Sequence, residues 1–364
     1  MHKIWWWIGA IVVAVIVLWF LASYQKPGVA ATPIKVGALL LLSGDFTSYG
    51  TSARTAVELA VEKYNADPAH LRKVEVIYED TKADPKTAVS AYQKLVSIDH
   101  VDAIVGPMLQ VEMSAIAPLV IQDKVPVFSI SNPDKVLRGT LPGFLAVWPD
   151  PTLEAEQMAQ YVYDQGVRSV ATLGTKDSWE SEVSQAFNDK FTALGGTVVD
   201  TETVLPDDND TATQVTRALS KKPEALFLGT YYKFTYFVKK ARDLGFKGKM
   251  YSIEIDTNLA SETNPASNGL RFISPEFYTA DFVQAFETKA GAKPTIPSGQ
   301  TYDATQILLS IVPLAKDRAD IISRMDALQS FDGVSGHITF NNERRATFPL
   351  NIFEIQNGEI MRAQ

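Results

Sequence analysis

The length, composition and charge of the chain exclude several classes of protein. Its 364 residues suit one large domain or two of medium size, and 46% of them are hydrophobic, as in an ordinary globular protein. The net charge of −8, without a dense stripe of lysine and arginine, argues against nucleic-acid binding. The chain has no cysteine, which excludes disulfides, thiolate catalysis, cysteine-ligated metals and a lipidated cysteine.

An apolar segment, Ile4 to Ala22, lies close to the start of the chain. It is long enough to cross a bilayer, and tryptophans near both of its ends suit the membrane interfaces. Two interpretations stay open for residues 1–23: an uncleaved membrane anchor, or a signal peptide cleaved near Val29 to Ala31. Because Lys3 favours the cytoplasmic side, both predict that the globular part, which follows a linker over residues 24–33, is extracytoplasmic.

Strands and helices alternate after the linker. Ile34 to Leu40 reads as a buried strand, and Asp84-Pro85 marks the start of a helix. Val101 to Pro133 reads as a strand, a helix and a strand, the strands being Ala103–Val105 and Val125–Phe128. Such crossovers are almost always right-handed and parallel.

A second alternating series begins after Trp148. It predicts strands at Ser169–Leu173, Thr197–Val199, Ala225–Leu228 and Lys249–Ile253, with helices between them. The C-terminal part reads as two helices and a strand pair, Pro275–Ala290, Tyr302–Leu314, Gly336–Phe340 and Phe348–Ile355. The two series together predict an α/β protein with two doubly wound lobes.

The chain lacks the familiar catalytic and cofactor motifs. It has no phosphate loop, no dinucleotide-binding glycine pattern, no zinc-protease helix motif and no nucleophile elbow. Its 4 histidines are distant from one another in sequence, which argues against a histidine metal site or catalytic cluster. We therefore predict no enzymatic activity, no cofactor and no metal.

Aromatic and small polar residues follow several predicted strands. In open parallel sheets, ligands bind beyond the carboxyl ends of the strands, where helix N-termini present free N–H groups. Hydroxyl and N–H groups can hold a carboxylate, an acid can neutralise an ammonium, and aromatic walls exclude water. An ordinary structural role is the alternative for each residue. The candidates are Tyr49, Gln110, Ser129, Ser131, Trp179, Tyr231, Tyr232, Glu254 and Tyr302.

Several stretches occur in a familiar order. They include IKVGALLLLSGDFTSYGTSARTAVELAVEKYNA, VEVIYEDTKADPKTAVSAYQKLV, VGP, VPVFSISNP, DSWESEVSQAFNDKFTALGGTVV, ALFLGTYYKFTYFVKKARDLGF and FDGVSGHITFNNERRATFPLNIFEIQNGEI. In this order and spacing, the chain resembles the leucine/isoleucine/valine-type solute receptors of ABC transporters from Ile34 to Ile360. The resemblance implies a type I periplasmic binding fold, with two lobes joined by three crossovers near Trp148, Glu254–Thr257 and Asp332-Gly333. Lobe 1 would comprise residues 34–148 and 254–332, and lobe 2 residues 149–253 and 333–364.

The resemblance also assigns roles to candidate site residues. Tyr49 and Tyr231 match aromatic residues of the two lobes, and Trp179 stands where the family usually has a tyrosine. Ser131 matches a hydroxyl residue that helps to hold the ligand's amino-acid head, and Glu254 matches the acid that faces the ligand ammonium.

One family position differs in this chain. The serine that receives the ligand's α-carboxylate in the family is replaced by Gln110, whose amide can still donate a hydrogen bond but fills space. The loop around Ser129 looks shortened. Both differences argue against an ordinary leucine-like ligand.

The favoured hypothesis is a solute receptor that delivers a small polar ligand, such as an amino acid or amide, to an ABC permease. We expect a monomer associated with the membrane through its N-terminal segment, or a secreted form. A ligand-binding sensor that signals through a membrane partner is the alternative. A hydrolase on the same scaffold is a third hypothesis, against which the missing nucleophile–base pair argues.

Overall fold

The computed structural model describes residues 32–208, 211–275 and 278–363. The apolar segment Ile4 to Ala22 lies outside these residues, and so does the choice between an anchor and a cleaved signal. Within the described residues, none of the helices combines the length and the apolar character that a membrane span requires.

The first lobe is built on a sheet of five parallel strands in the order β2-β1-β3-β4-β5. These strands are Ile34–Leu40 (β1), Val74–Asp80 (β2), Ala103–Val105 (β3), Val127–Ser129 (β4) and Phe144–Ala146 (β5). Helices Thr47–Ala66 (α1), Pro85–Ser97 (α2) and Gln110–Asp123 (α3) connect the first four strands. The strands β3, β4 and β5 are buried throughout, as expected for a parallel sheet covered on both faces.

The second lobe is built on a sheet of seven strands in the order β15-β14-β10-β9-β8-β6-β7. Its strands are Ser169–Thr175 (β6), Thr197–Val204 (β7), Ala225–Gly229 (β8), Lys249–Ile253 (β9), Arg271–Pro275 (β10), Leu350–Gln356 (β14) and Glu359–Arg362 (β15). The last two run antiparallel to their neighbours. Its helices are Pro151–Asp164 (α4), Ser178–Ala193 (α5), Ala212–Ser220 (α6), Phe234–Asp243 (α7) and Thr257–Glu262 (α8).

The remaining elements pack on the first lobe. They are helices Ala280–Ala290 (α9), Ser298–Ile311 (α10) and Arg318–Ala327 (α11), and a small sheet of Ser330–Gly333 (β11), Gly336–Phe340 (β12) and Ala346–Thr347 (β13). Ile307 and Leu308 of α10 share a core with Ala38 and Phe128 of the first sheet, and Ile338 of β12 joins the same core. In the described residues, the chain therefore passes between the lobes after β5, after β10 and after β13.

Two of these passages differ from the expected positions. We expected a crossover near Glu254. Instead, the chain stays in the second lobe as far as Arg271–Pro275, which pairs in parallel with β9, because Leu270 and Phe272 are buried in the core of the second sheet. We expected the third crossover near Asp332, but Phe340 and Phe348 are buried in the first lobe's core. The sequence analysis assigned no strand at β10 and began a helix at Pro275, whereas the helix of the structure begins at Ala280.

Gly50, near the start of α1, makes a close approach that only glycine permits. An ideal Cβ at this position would lie 1.7 Å from the carbonyl oxygen of Leu41. We expect Gly50→Ala to lower the free energy of unfolding by about 3 kcal/mol, since the helix would have to move away from β1. Thermal unfolding measures the change, with the exposed neighbour Thr51→Ala as the control. Equal melting temperatures for the two variants would contradict this account of the packing.

Candidate ligand-binding cleft

A cavity lies between the carboxyl ends of the parallel strands of the two sheets. Its empty space, which includes part of its open mouth, is about 840 Å³. The residues that line it from the first lobe include Leu41, Phe46, Tyr49, Gln110, Ser131, Asn132 and Trp148. Those from the second lobe include Asp177, Trp179, Tyr231, Tyr232 and Glu254. These residues follow β1, β3, β4, β5, β6, β8 and β9, so the two sheets direct their strand ends at one space.

Tyrosines from the two lobes meet at one wall of the cavity. The ring centroids of Tyr49 and Tyr231 lie 5.4 Å apart, and those of Phe46 and Tyr232 lie 5.3 Å apart, both edge to face. The Tyr231 hydroxyl donates to Asp256 Oδ2 at 3.0 Å. Burial, followed by the negative charge of Asp256, raises the pKa of Tyr49, which therefore stays protonated at neutral pH.

The loop that carries Tyr231 is held by a buried carboxylate, Glu180. Its Oε1 accepts the backbone N–H groups of Tyr231 and Tyr232 at 2.6 and 3.0 Å, and its Oε2 accepts that of Thr175 at 2.8 Å. Burial raises the pKa of Glu180 although these N–H groups oppose the shift. The sequence interpretation missed Glu180, because an acid in the first turn of a helix is an ordinary feature.

Glu254 follows β9 and is almost completely buried. Its backbone has a positive φ of 50°, which is uncommon for a residue other than glycine and is concentrated at functional sites. Its N–H donates to the Ile273 carbonyl at 2.9 Å, and its carboxyl is hydrogen-bonded to the side chain of Trp148.

A second carboxyl, Glu154 of α4, lies beside Glu254. Glu154 is 0% exposed, and neither of its carboxyl oxygens has a hydrogen-bond partner in the structure. Burial raises the pKa of Glu254 to about 7, and burial together with the Glu254 charge raises the pKa of Glu154 well above its usual range. Two carboxyls that are buried side by side resist ionising together, so the pair retains a proton at neutral pH. Sequence reasoning missed Glu154 for the same reason as Glu180.

Gln110 is oriented by an acid of its own lobe. Its Nε2 donates to Asp134 Oδ1 at 2.8 Å, and its Oε1 is buried without a hydrogen-bond partner. We expected the Gln110 amide to be available as a donor to a ligand. In the structure Asp134 accepts one of the two N–H groups of this amide, because a carboxylate can only accept and therefore binds the NH2 end. The carbonyl oxygen is the end without a partner, and donation to a ligand by the second N–H stays a prediction.

The remaining predicted residues fall into two groups. Ser131 lines the cavity, whereas Ser129 is fully buried behind it and bonds to the Ser131 backbone at 2.9 Å. Tyr302 lies away from the cavity, with its ring 5.0 Å from that of Phe282. Seven of the nine candidate residues therefore line this space, and their contact with a ligand stays a prediction. They are Tyr49, Gln110, Ser131, Trp179, Tyr231, Tyr232 and Glu254.

A largely buried ion pair joins the two lobes beside the cavity. Two guanidinium nitrogens of Arg138 each lie 2.6 Å from an oxygen of Glu182 on α5, in the two-pronged geometry that suits arginine and carboxylate. The Thr152 hydroxyl donates to the same carboxylate at 2.7 Å. Burial alone would raise the pKa of Glu182, but Arg138 and Thr152 outweigh it and hold the pKa below its usual value.

In the part of the chain that the structure describes, no group of three or more histidine, cysteine or acidic side chains is arranged to hold a metal ion. Asp177, an acid of the cleft, accepts the backbone N–H groups of Trp179 and Glu180.

Comparison with known proteins relates this architecture to a family of receptors. The chain is 26% identical over 215 residues to the Leu/Ile/Val-binding protein BraC3 of Rhizobium johnstonii, and the match spans 58% of each protein. Its fold is similar to the branched-chain amino acid transporter substrate-binding protein LivJ of Streptococcus pneumoniae, solved with isoleucine. That structure has a TM-score of 0.84 at 21% identity and covers 91% of this chain and 99% of LivJ.

A second solved structure carries a different ligand. It is an ABC-transporter solute-binding protein of R. palustris in complex with benzoate, with a TM-score of 0.81 at 18% identity, covering 91% of this chain and 95% of that one. The predicted type I fold with two α/β lobes is thus confirmed. The family model described as "Periplasmic binding protein" matches residues 33–359. The chain therefore belongs to the periplasmic binding protein family.

Proposed function

We propose that this protein is an extracytoplasmic solute receptor, which captures a small ligand in the cleft and delivers it to an ABC permease. The observation that carries the proposal is the enclosed cavity between the two sets of strand ends, with aromatic walls and the acid Glu254 in its lining. BraC3, by its name, binds branched-chain amino acids, which supports a small organic ligand here. An anchor or a cleaved signal at Ile4 to Ala22 fits the proposed location.

We further propose that the two lobes close over the ligand and that the structure represents the closed arrangement. The Tyr49–Tyr231 contact and the Arg138–Glu182 ion pair both bridge the lobes beside the cavity. In an open form, these groups would separate and become hydrated. Closure thus removes water from around the ligand, which strengthens its polar contacts.

Mass spectrometry of the gently purified protein tests the proposed function. We expect a small organic molecule to be released on denaturation, and we expect the same molecule to rebind with a one-to-one stoichiometry in calorimetry. The molecule should be recovered unchanged after incubation with the protein, whereas a hydrolase would convert it. Failure to recover or rebind any solute would contradict the receptor function.

Glu182→Gln is expected to shift the lobes towards the open form. Removing one partner leaves Arg138 charged and unpaired in the closed form, where its side chain is 6% exposed, and opening relieves this cost. We expect the affinity for the recovered ligand to fall by at least about 10-fold, and the radius of gyration of the ligand-free protein to increase. Glu58→Gln, which removes an acid from the exposed ion pairs of α1, is the control. Identical scattering and affinity for both variants would count against the proposed closure.

A further inference from the structure

The lining of the cleft offers a hydrogen-bond acceptor at the position where the sequence led us to expect a donor. Gln110 is 6% exposed, and its Oε1 is buried without a partner while its Nε2 is bound to Asp134. A buried acceptor without a partner is costly. A ligand donor placed against Gln110 Oε1 would remove this cost, whereas a ligand carboxylate would add repulsion between oxygens.

Donors near Gln110 are also committed to the protein. The backbone N–H of Leu109 donates to Glu112 Oε2 at 3.3 Å, and that of Met108 also bonds to the Glu112 carboxyl. The Ser131 hydroxyl is engaged with Ser129 and the Pro107 carbonyl. A ligand carboxylate could bind these groups only by displacing their present partners.

Other lining residues repeat this pattern. The Asn132 Nδ2 donates to the Pro149 carbonyl at 2.8 Å, and the Tyr231 hydroxyl donates to Asp256. The Trp148 side chain is hydrogen-bonded to Glu254. These donors are therefore already used within the protein.

The charged side chains that the structure describes in the lining of the cavity are acidic. Asp177 and Glu254 line the cavity, and Asp134 lies directly behind Gln110. Among the described residues that line the cavity, there is no lysine, arginine or histidine. The nearby Arg345 is bound to Asp150 at 2.6 Å and to Asn132 at 3.2 Å. A free anion would meet negative groups from both lobes without a compensating cation.

We propose that the ligand is a small amine without a carboxylate, which carries a second N–H donor for Gln110, as a diamine or an amino amide does. Its ammonium faces Glu254, its second donor faces Gln110 Oε1, and its apolar part packs against the aromatic walls. The inference rests on the proposed receptor function and narrows its ligand class.

Calorimetry with matched probes tests this ligand class. Leucinamide and leucine differ only in the replacement of the carboxylate by an amide, and 1,4-diaminobutane and benzoate extend the comparison to a dication and an anion. We expect leucinamide to bind at least about 10-fold more tightly than leucine, since only leucinamide offers an N–H donor to Gln110 in addition to its ammonium. We expect no binding of benzoate.

Two variants test whether Gln110 causes the preference for leucinamide over leucine. Gln110→Ser removes the acceptor oxygen and is expected to abolish the preference for leucinamide over leucine. Gln110→Met keeps the size of the side chain without its polar atoms and should have the same effect. A preference that persists unchanged in both folded variants would overturn the role of Gln110.

The inference and the receptor function fail in different ways. Tighter binding of leucine or benzoate than of leucinamide, or recovery of a carboxylate-bearing ligand from the purified protein, would overturn only the inference. Absence of both a recovered ligand and any probe binding would overturn both. Recovery of an amine without a carboxylate would support both.

Discussion

Replacing Glu254 with glutamine is expected to weaken the binding of an amine by at least about 100-fold. The carboxylate is 4% exposed, so a bound ammonium would face it with little intervening water. Removal of one partner from such a buried pair commonly costs about 3–5 kcal/mol, because the other charge stays desolvated. Glutamine keeps the shape of the side chain and one acceptor oxygen, which makes the charge the main difference between the two proteins.

Calorimetry with leucinamide, or with the ligand recovered from the protein, measures this change. Glu75→Gln is the matched control, because it makes the same substitution at an exposed position on β2. The control should bind as the unchanged protein does. Equal affinities for Glu254→Gln and Glu75→Gln would show that Glu254 does not face the ligand charge.

Much of the fold could be predicted because its strands are short apolar runs between clear helix signals. Ala103–Val105 is buried on both faces, and the pairs Asp84-Pro85 and Asp150-Pro151 stand at the starts of α2 and α4. The strand β10 was missed because five residues carry little periodicity. The positions where the chain changes lobes depend on which of the two cores buries residues such as Phe272 and Phe340. The local sequence around such a residue does not indicate in which core it is buried.

The cleft could be predicted in part, because strand ends mark the edge of a parallel sheet. This reasoning placed Tyr49, Gln110 and Glu254 around one cavity, but it also selected Tyr302, which lies half-buried against Phe282 and away from this cavity. Helical spacing alone cannot distinguish a side chain that faces a cleft from one that faces a core.

The buried acids could not be identified from the sequence. Glu112, Glu154 and Glu180 all lie in the first turn of a helix, where an exposed carboxylate is favoured by the helix dipole. Only the tertiary structure shows that these three are fully buried and that Glu154 meets Glu254. Their burial leads to an effect on stability that can be measured without a ligand.

The ligand-free protein is expected to lose stability as the pH rises from about 5 to about 8. Glu154 and Glu254 have raised pKa values in the folded state, so the folded protein binds protons in this range that the unfolded chain has already released. Stability falls with pH wherever the folded state holds more protons. A rise in the pKa of Glu254 from 4.5 to about 7 corresponds to about 3 kcal/mol.

Other groups either add to this trend or lie outside its range. Burial raises the pKa of Glu112 to about 7 and that of Asp303 to about 6, so both contribute with the same sign. Glu182 and Asp80 have lowered pKa values and lose their contributions only at more acidic pH. Asp150, which adds negative charge near Glu154, is itself paired with Arg345. The contribution of Glu154 and Glu254 to the pH dependence must therefore be separated from these other contributions by comparison of variants.

Glu154→Gln makes this comparison, because glutamine keeps the size of the side chain but cannot ionise. We expect the variant to fold and its melting temperature to depend less steeply on pH than that of the unchanged protein. Glu75→Gln, at an exposed position, should leave the dependence unaltered. A Glu154 that stays protonated in the folded protein predicts a flatter trend over the whole range from about pH 5 to about pH 8. If Glu154 instead ionised below about pH 6 in the folded protein, the flattening would be confined to that lower range, and melting curves at closely spaced pH values separate the two cases.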